Sequence, residues 1–376
     1  MQVDLVITEL DVGGAERALT RLAVGLQQRG DDVRIFSLGS LPRESSPGDG
    51  KDQLLRQLYD HGIDVTSGNA AGVFQLPSVY RELKQWLHRR PDAVRQSFLF
   101  HANVLTKHAI GANAKTRSGT PWVGGVRVAD PNRIRIAIEG QALRQADHVV
   151  CVSAAVEAFS RRRYRLRENQ TGVIANGVEV ERLVSATPFD WQSLGWSPDA
   201  NVVLFIGRLH EQKNLGLLLR AFDRFVNAEN RKLVIAGGGP QHEMLQAWAD
   251  GVGTDRVRIL PWQSDVAPLI AGCRVFVLPS HYEGMPNVVL EAMAAGKPVV
   301  CSRVEGSLEL IGDDPDQGFE PDNEDGLVSR LNRFLDDSDF ATRVGSVNQE
   351  RMRKDFTVQR MVDAYRDLYD RLQNQR

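Results

Sequence analysis

Residues 280–300 constrain the fold of this chain more than any other stretch. The apolar run Val275–Leu278 that precedes them has the length and composition of a buried strand. Glu283-Gly284-Met285-Pro286 then forms a turn, Asn287 is a suitable helix cap, and an apolar helix is expected from 288 to 295. A strand, a tight turn and a helix in this order predict an α/β fold with a parallel sheet.

Two carboxylates frame the start of this helix. Seven residues separate Glu283 in the turn from Glu291 on the helix, so both side chains can address one ligand. The backbone N–H groups of a first helical turn bind anions. A phosphate at the helix start with hydroxyl acceptors on either side is the arrangement that a sugar nucleotide needs.

Residues 283–299 resemble the donor-binding signature of the family 4 glycosyltransferases. The resemblance is good over residues 173–310 and looser over 10–17 and 97–153. It implies the GT-B architecture, in which two Rossmann-like parallel-sheet domains face a cleft and a C-terminal helix crosses back to the first domain. It also implies a retaining enzyme.

The rest of the chain repeats the alternation of strand and helix in two series. Residues 181–200 contain prolines and a glycine without a regular apolar period, and we expect the linker there. The predicted domains are an N-terminal acceptor domain, residues 1–180 with the returning helix 357–376, and a C-terminal donor domain, residues 201–356.

The first strand and helix invite comparison with dinucleotide-binding proteins. Gly13 and Gly14 lie where the helix begins, but the third glycine of G-x-G-x-x-G is missing. The second strand ends in Ser37 and not in an acid for a ribose, so NAD binding is disfavoured. The resemblance implies instead that Gly13 and Gly14 face the donor phosphates and the acceptor.

Two cations follow the first strand of the predicted second domain. Arg208 lies at the strand end and Lys213 just before the next helix, which directs both toward the sheet edge that carries Glu283. Fixed cations stabilise a departing diphosphate more in the transition state than in the ground state. Solvated surface charges are the alternative, but residues 207–214 also match the diphosphate-binding pattern of the resembled family.

The resemblance assigns roles to single residues. Glu291 would accept hydrogen bonds from the ribose hydroxyls, and Glu283 would contact the donor sugar on its reacting face. His101 would stand near the anomeric carbon and the acceptor. The backbone that would hold the sugar and the distal phosphate is that of Gly284, Met285, Pro286 and Asn287. The expected catalytic residues are Glu283, His101, Arg208 and Lys213.

His101 belongs to a predicted strand, residues 97–103, that ends on His101 and Asn103. Carboxyl ends of strands bind ligands in open α/β sheets, although a packed, hydrogen-bonded histidine is the alternative. Residues 305–309, Glu-Gly-Ser-Leu-Glu, depart from the Gly-Gly-x-x-Glu run that is frequent in the family. That departure leaves the local phosphate loop less well defined.

We expect no metal and no cofactor, because Arg208, Lys213 and the helix start supply the positive charge that a metal would provide. Asp314-Pro315-Asp316 is a D-x-D sequence, and its charged loop favours solvated surface over a metal site. The three cysteines lie in or beside apolar strands, which is typical of buried thiols in a reducing cytoplasm.

The predicted function is transfer of a sugar from a nucleoside diphosphate sugar to an acceptor hydroxyl in cell-surface polysaccharide or glycolipid synthesis. Uridine is the expected base. Two alternatives stay open: a non-catalytic binder of sugar nucleotides or glycans, and a sugar-nucleotide epimerase of the same fold. Release of nucleoside diphosphate is expected of the transferase alone.

Charge is uneven along the chain. Residues 1–182 hold 25 Lys and Arg against 20 Asp and Glu, hence +5, whereas residues 183–376 hold 21 against 28, hence −7. A run of arginines in the first half can attract anionic lipid headgroups, although a solvated helix end is the alternative. The acidic second half disfavours nucleic acid.

Since we see no leader sequence or membrane span, we expect a cytoplasmic protein, peripheral on the inner face of the cytoplasmic membrane. The arginines are Arg161, Arg162, Arg163, Arg165 and Arg167.

Overall fold

The computed structural model describes residues 1–42, 50–72, 75–111, 120–226 and 228–375. The chain divides into two compact units. The first comprises Met1–Gly177 together with Val358–Arg376, and the second comprises Val178–Thr357.

The first unit contains a parallel sheet whose seven described strands lie in the order β3-β2-β1-β4-β5-β6-β7. Their apolar residues are buried on both faces, as expected for a parallel sheet covered by helices. The strands are β1 (Gln2–Ile7), β2 (Asp32–Gly39), β3 (Asp64–Ala70), β4 (Val94–Phe98), β5 (Trp122–Val126), β6 (His148–Cys151) and β7 (Thr171–Val173).

Helices connect these strands. One layer consists of α3, α4, α5 and α6, which pack side by side, and α1 packs against α2. The helices are α1 (Gly14–Gln28), α2 (Gln53–Asp60), α3 (Leu76–His88), α4 (Phe100–Ile110), α5 (Arg133–Leu143) and α6 (Ala154–Tyr164).

The second unit repeats this plan with six described strands, paired in parallel in the order β10-β9-β8-β11-β12-β13. The strands are β8 (Asn201–Ile206), β9 (Arg231–Ala236), β10 (Val257–Leu260), β11 (Val275–Leu278), β12 (Val299–Ser302) and β13 (Gly318–Phe319). The helices are α7 (Val180–Val184), α8 (Leu215–Phe225), α9 (His242–Val252), α10 (Ala267–Gly272), α11 (Asn287–Ala294), α12 (Glu305–Ile311), α13 (Glu324–Asp336) and α14 (Ser338–Asp355). Two Rossmann-like parallel-sheet units confirm the predicted fold class.

The last helix, α15 (Val358–Asn374), returns to the first unit and packs against α1. Val362 of α15 fills the space that a side chain at Gly25 would occupy, so the two helices approach closely. Tyr365 and Tyr369 are buried in the same core. No helix in the described part of the chain combines the length and the apolar character needed to cross a bilayer.

Residues 178–200 form part of the second unit, including the stretch from 181 to 200 in which we expected the linker. Two tryptophans hold this segment in place. Trp191 and Trp196 are both buried, and the indole N–H of Trp191 donates to the carbonyl of Gly272 at 3.0 Å. Aromatic anchors without a regular spacing leave no periodic signal in a sequence, which is why the segment reads as a linker.

The strand predicted for residues 97–103 ends at Phe98, so that prediction was wrong in its second half. Leu99 adopts a left-handed conformation, with φ 75°, and the chain enters α4 at Phe100. His101 therefore lies in the first turn of a helix and not on a strand. It still lies near the carboxyl edge of the sheet, because α4 begins directly after β4.

Each sheet has one point at which the order of strands reverses. It lies between β1 and β4 in the first unit and between β8 and β11 in the second. Loops that leave the carboxyl ends of such strands run in opposite directions and open a crevice, which is where open α/β sheets bind ligands.

Candidate active site

The loops that leave β8 and β11 meet at the carboxyl edge of the second sheet. Lys213 closes a short 3-10 turn after β8, and Glu283 lies in the turn after β11. The Nζ atom of Lys213 lies 2.5 Å from Oε1 of Glu283. The sequence predicted both residues for the site, but it did not predict that they would pair.

A buried serine fixes the orientation of Glu283, of which only 6% is exposed. The hydroxyl of Ser280 donates to Oε1 of Glu283 at 2.6 Å. The carbonyl of Ser280 in turn accepts a hydrogen bond of 2.7 Å from Ser302. A carboxylate that accepts from both a hydroxyl and an ammonium is held in one orientation. Sequence reasoning missed Ser280, although it lies only three residues before Glu283.

Gln212 joins the two loops. Its backbone carbonyl accepts from the N–H of His281 at 2.9 Å, and its side-chain amide donates to the carbonyl of Tyr282 at 2.9 Å. These bonds flank the Lys213–Glu283 pair in the chain and hold the two loops in register. A glutamine between two charged residues gave no signal of this role in the sequence.

Gly306 packs against the turn that carries Glu283. A Cβ added at Gly306 would overlap the carbonyl oxygen of Gly284, so the backbones of the two residues are in direct contact. Gly306 lies at the start of α12, within the stretch that departs from the family pattern. Glycine is needed here because any side chain would displace the turn.

The helix α11 begins one residue earlier than expected. Pro286 occupies the cap position and Asn287 is the first helical residue, so the prediction of Asn287 as the cap was wrong. Proline can take that position because its extended backbone, with ψ 110°, leads into the first turn. Glu291 is 98% buried, with 2% of its surface exposed, and Met285 and Asn287 are buried as well.

Arg208 differs from Lys213 in its surroundings. It lies two residues after the end of β8 and is exposed, and no ion pair of its guanidinium is seen among the described residues. The neighbouring turn after β9 presses against this loop, since a Cβ at Gly237 would overlap the carbonyl oxygen of Gly207. The loop is therefore fixed in its backbone while the Arg208 side chain faces solvent.

The second unit thus presents fixed charges of both signs near a helix start. Lys213 and Glu283 form one buried pair, Arg208 adds an exposed cation, and the first turn of α11 adds positive partial charge. Donors and acceptors of these kinds fit a phosphoryl group and a polyhydroxylated ring.

In the first unit, Gly13 caps α1 and Gly14 is its first residue. The Glu16 carboxylate folds back over this helix start, where it occupies the space that a Cβ of Gly13 would need. The pKa of Glu16 is raised to about 7, chiefly by burial and also by the nearby charges of Glu9 and Asp11. The hydrogen bond from its own backbone N–H and the charge of Arg127 oppose this rise.

His101 is an exposed residue whose ring meets the Phe100 ring edge-on, with 5.0 Å between the centroids. Partial loss of water around the ring lowers the pKa of His101, and the positive charge of Arg135 lowers it further. Its ordinary value is 6.5, so the ring is neutral at pH 7. A neutral imidazole near the sheet edge can accept a proton or a hydrogen bond.

Asn103, which we expected beside His101 at a strand end, is fully buried in α4. Its side-chain amide donates to the carbonyl of Gly125 at 3.0 Å and to Glu139 at 2.8 Å, and its oxygen accepts from Ser97 at 2.7 Å. Glu139 accepts in addition from Tyr164 at 2.8 Å. Asn103 is therefore a structural residue and not a ligand contact.

The arginine run divides into two groups. Arg161 is held within the fold by Glu157, Glu168 and Thr171, and the intervening Tyr164 is buried. The other members of the run are exposed at or just beyond the end of α6; they are Arg162, Arg163, Arg165 and Arg167.

Both aspartates of the D-x-D sequence already contact other side chains of the second unit. Asp314 accepts from Gln317 at 2.9 Å, and Asp316 pairs with Arg333. Within the described residues, three or more histidine, cysteine or acidic side chains are nowhere grouped as metal ligands. Metal independence stays a prediction.

Known proteins share both the sequence and the fold. The family model of Glycosyltransferase Family 4 matches residues 12–182, and that of the glycosyl transferases group 1 matches residues 187–351. Two lipopolysaccharide core biosynthesis glycosyltransferases of Rhizobium meliloti (strain 1021) are similar over nearly their whole length. LpsD is 29% identical, covering 96% of this chain and 95% of LpsD, and LpsE is 30% identical, covering 95% of each.

The crystal structure of Anabaena HepE in complex with UDP-glucose superposes with a TM-score of 0.83 at 21% identity. The match covers 98% of this chain and 99% of HepE. The protein belongs to glycosyltransferase family 4, and it is a glycosyltransferase of the GT-B fold.

Proposed function

We propose that the protein transfers a sugar, with retention of configuration, from a UDP-sugar to an acceptor hydroxyl. The observation that carries the proposal is the Lys213–Glu283 pair, which lies at the strand-order reversal between β8 and β11 beside the start of α11. A donor held there would place its diphosphate near the lysine and its sugar near the carboxylate.

The relatives support the choice of substrates. LpsD and LpsE are named for lipopolysaccharide core biosynthesis, and HepE has been crystallised with UDP and with UDP-glucose. We therefore propose uridine as the base and a glycan or a lipid-linked sugar as the acceptor, in the synthesis of a cell-surface polysaccharide or glycolipid.

The reaction needs a stabilised leaving group. As the bond between the anomeric carbon and the diphosphate oxygen breaks, negative charge grows on the phosphate, and Lys213 and Arg208 offset it. The acceptor oxygen forms the new bond on the same face, and its proton passes to the departing phosphate oxygen. In this proposal Glu283 contacts the sugar, Glu291 accepts from the ribose, and His101 stands near the acceptor.

This scheme requires no metal, because two cationic side chains and the positive end of α11 act on the diphosphate together. Addition of EDTA should therefore leave turnover unchanged, and a loss of turnover that Mg²⁺ or Mn²⁺ restores would contradict metal independence.

We further propose that the enzyme works in the cytoplasm on the inner face of the membrane. The exposed arginines at the end of α6 lie beside α5, since Gly140 of α5 packs tightly on Tyr164 of α6. The solvent side of α5 presents Ile134, with 73% of its surface exposed, and Ile138 one turn later. Cationic and apolar side chains on one helical layer suit an anionic bilayer surface.

The deciding experiment measures UDP release from a panel of UDP-sugars, with and without a lipid-linked glycan acceptor. A transferase releases UDP with its preferred donor, and the acceptor accelerates that release. UDP binding without release from any donor would instead identify a binding protein, and a changed sugar without UDP release would identify an epimerase.

A further inference from the structure

Asp322, in the loop that follows β13, lies against both loops of the candidate active site. One of its carboxylate oxygens, Oδ1, accepts a hydrogen bond of 2.8 Å from the side-chain amide of Asn214. The same oxygen lies 3.7 Å from Nδ1 of His281. Asn214 directly follows Lys213, and His281 comes two residues before Glu283. A third loop of the second unit therefore joins the two loops that carry the Lys213–Glu283 pair.

Asn214 gives up a favourable local interaction to make this contact. It occupies the cap position of α8, where the side chain of an asparagine normally accepts from a backbone N–H of the first turn. Here the side chain makes no cap hydrogen bond, and its amide reaches across to Asp322. A local preference that the fold overrides indicates a compensating gain, which is most often found at a functional site.

Both partners of this hydrogen bond have a left-handed backbone, with φ 51° at Asn214 and 62° at Asp322. The conformation is uncommon outside glycine, and asparagine and aspartate are the other residues that adopt it most readily. Such conformations persist where the surrounding structure holds them, and they cluster at functional sites. Two of them, joined by one side-chain contact, mark the place where the loop after β8 meets the loop after β13.

The helix that follows Asp322 is itself fixed to α8. Asn323 provides the side-chain cap of α13, so this role does not fall to Asp322. The guanidinium of Arg224, on α8, donates to Glu324 at 3.1 Å and to Asp325 at 2.7 Å, both in the first turn of α13. Asp322 therefore belongs to a frame formed by α8 and α13, and its carboxylate is a fixed point for the two active-site loops.

We propose that Asp322 is a positioning residue for sugar transfer. Its carboxylate holds Asn214, and the backbone next to Asn214 then places Lys213 where the lysine meets the diphosphate. The proximity of His281 holds the turn that carries Glu283 at the same point. The inference rests on the proposed function for the roles of Lys213 and Glu283.

The Lys213–Glu283 pair cannot keep the two loops together by itself during the reaction. A lysine that faces the diphosphate and a carboxylate that faces the sugar must loosen their direct contact of 2.5 Å. The contacts of Asp322 use no atom of either residue, so they persist when a donor binds. They lie at the surface, since 62% of the Asp322 side chain is exposed, and their loss should therefore change stability little.

The test compares Asp322→Gly with Asp322→Asn, with UDP release during sugar transfer as the readout. Glycine removes the side chain without straining the left-handed backbone, whereas asparagine adopts that backbone and retains an oxygen that accepts from Asn214. We expect kcat to fall about 10-fold in Asp322→Gly and less than about 2-fold in Asp322→Asn, because misplacement of a catalytic group slows turnover. KM for the donor should stay within about 2-fold in both variants, since the lost contact acts on the transition state. Tm should change little.

A double substitution separates positioning from a general loss of structure. If Asp322 acts through Lys213, then Asp322→Gly combined with Lys213→Met should lower kcat no further than Lys213→Met alone. A purely structural role would lower kcat by the same factor with either residue at position 213. Glu320→Gln is the matched control, because Glu320 is an exposed carboxylate of the same loop whose ion pair is with Arg303, at 3.6 Å. It should transfer sugar at the wild-type rate.

Three results would overturn the positioning role while the proposed function stands. They are an unchanged kcat in Asp322→Gly, an equal loss of kcat in Asp322→Gly and Asp322→Asn, and a full further loss when Asp322→Gly is added to Lys213→Met. A wild type that releases no UDP from any UDP-sugar, with or without acceptor, would overturn the proposed function and the positioning role together.

Discussion

The sites of the two units are built in different ways. In the second unit, Lys213, Glu283 and Ser280 form one hydrogen-bonded group on two loops, and Gln212 holds those loops together. In the first unit, Glu16 and Arg127 come from different elements and make no direct ion pair. A substitution in the second-unit group should therefore remove a hydrogen bond or an ion pair of the site. A substitution of Glu16 or Arg127 should instead change the net charge buried in the first unit.

The strongest test of this contrast is Lys213→Met. It removes the cation from the buried pair, and we expect kcat/KM for sugar transfer to fall by about 10²-fold or more, the scale of losing one partner of the transition-state charge. Arg208→Met should act in the same direction. Lys354→Met, at an exposed lysine of α14, is the control and should leave transfer rates unchanged. Normal turnover of Lys213→Met would remove the lysine from the mechanism.

Gly306→Ala tests whether the backbone geometry of the second-unit site matters. The new methyl group would overlap Gly284, so the turn that carries Glu283 must shift, and we expect transfer to fall by about 10- to 100-fold. Gly251→Ala in α9 is the matched control, because a Cβ there meets nothing within 4 Å. Equal rates for the two variants would show that the turn tolerates displacement.

The two glutamates should separate binding from turnover. Glu291→Ala should weaken the binding of UDP itself by about 1–3 kcal/mol, the cost of an unmade hydrogen bond to a charged group. Glu283→Ala should spare UDP binding, since it leaves the Lys213 cation available, and should lower kcat instead. UDP affinity from calorimetry and kcat from steady-state rates are measured for both variants. Weaker UDP binding in Glu283→Ala and a lower kcat in Glu291→Ala would mean that the two roles are exchanged.

The smallest effect is expected on the surface of the first unit. Arg162→Ser combined with Arg163→Ser should reduce co-sedimentation with anionic liposomes at low salt. Each arginine is expected to contribute up to about 1 kcal/mol to the free energy of membrane binding. The matched control replaces Arg343 and Lys354, exposed cations of α14, by serine. Binding that is equally strong in high salt, or equally lost in the control, would argue against a basic docking surface at the end of α6.

The same contrast explains which parts of the site could be predicted from the sequence. Glu283 and Glu291 belong to one turn and one helix, so their spacing alone places them together. Arg208 and Lys213 follow a strand whose apolar run is unmistakable. Ser280 and Gln212 could not be found in this way, because their roles depend on a contact between two loops that are distant in the chain.

The first-unit residues were harder to predict for a related reason. Glu16 has a raised pKa because it is buried in the folded unit and lies near the charges of Glu9 and Asp11, whereas Arg127 after β5 lowers it. Asn103 looked like a ligand contact because its strand was predicted five residues too long, and the left-handed Leu99 that ends this strand has no sequence signal. Leucine is an uncommon residue for that conformation.

The path of the chain has a consequence for how the protein is made. Val178 and Thr357 lie side by side in a parallel bridge where the chain leaves the first unit and where it comes back, so the whole second unit is an insertion in the first. The ribosome synthesises the first sheet and α1 long before α15. At about 10 residues per second, the delay is on the order of ten seconds or more. Throughout that time the apolar side of α1 lacks its cover of Tyr365 and Tyr369, so the inserted half is synthesised in full before the first half can be completed.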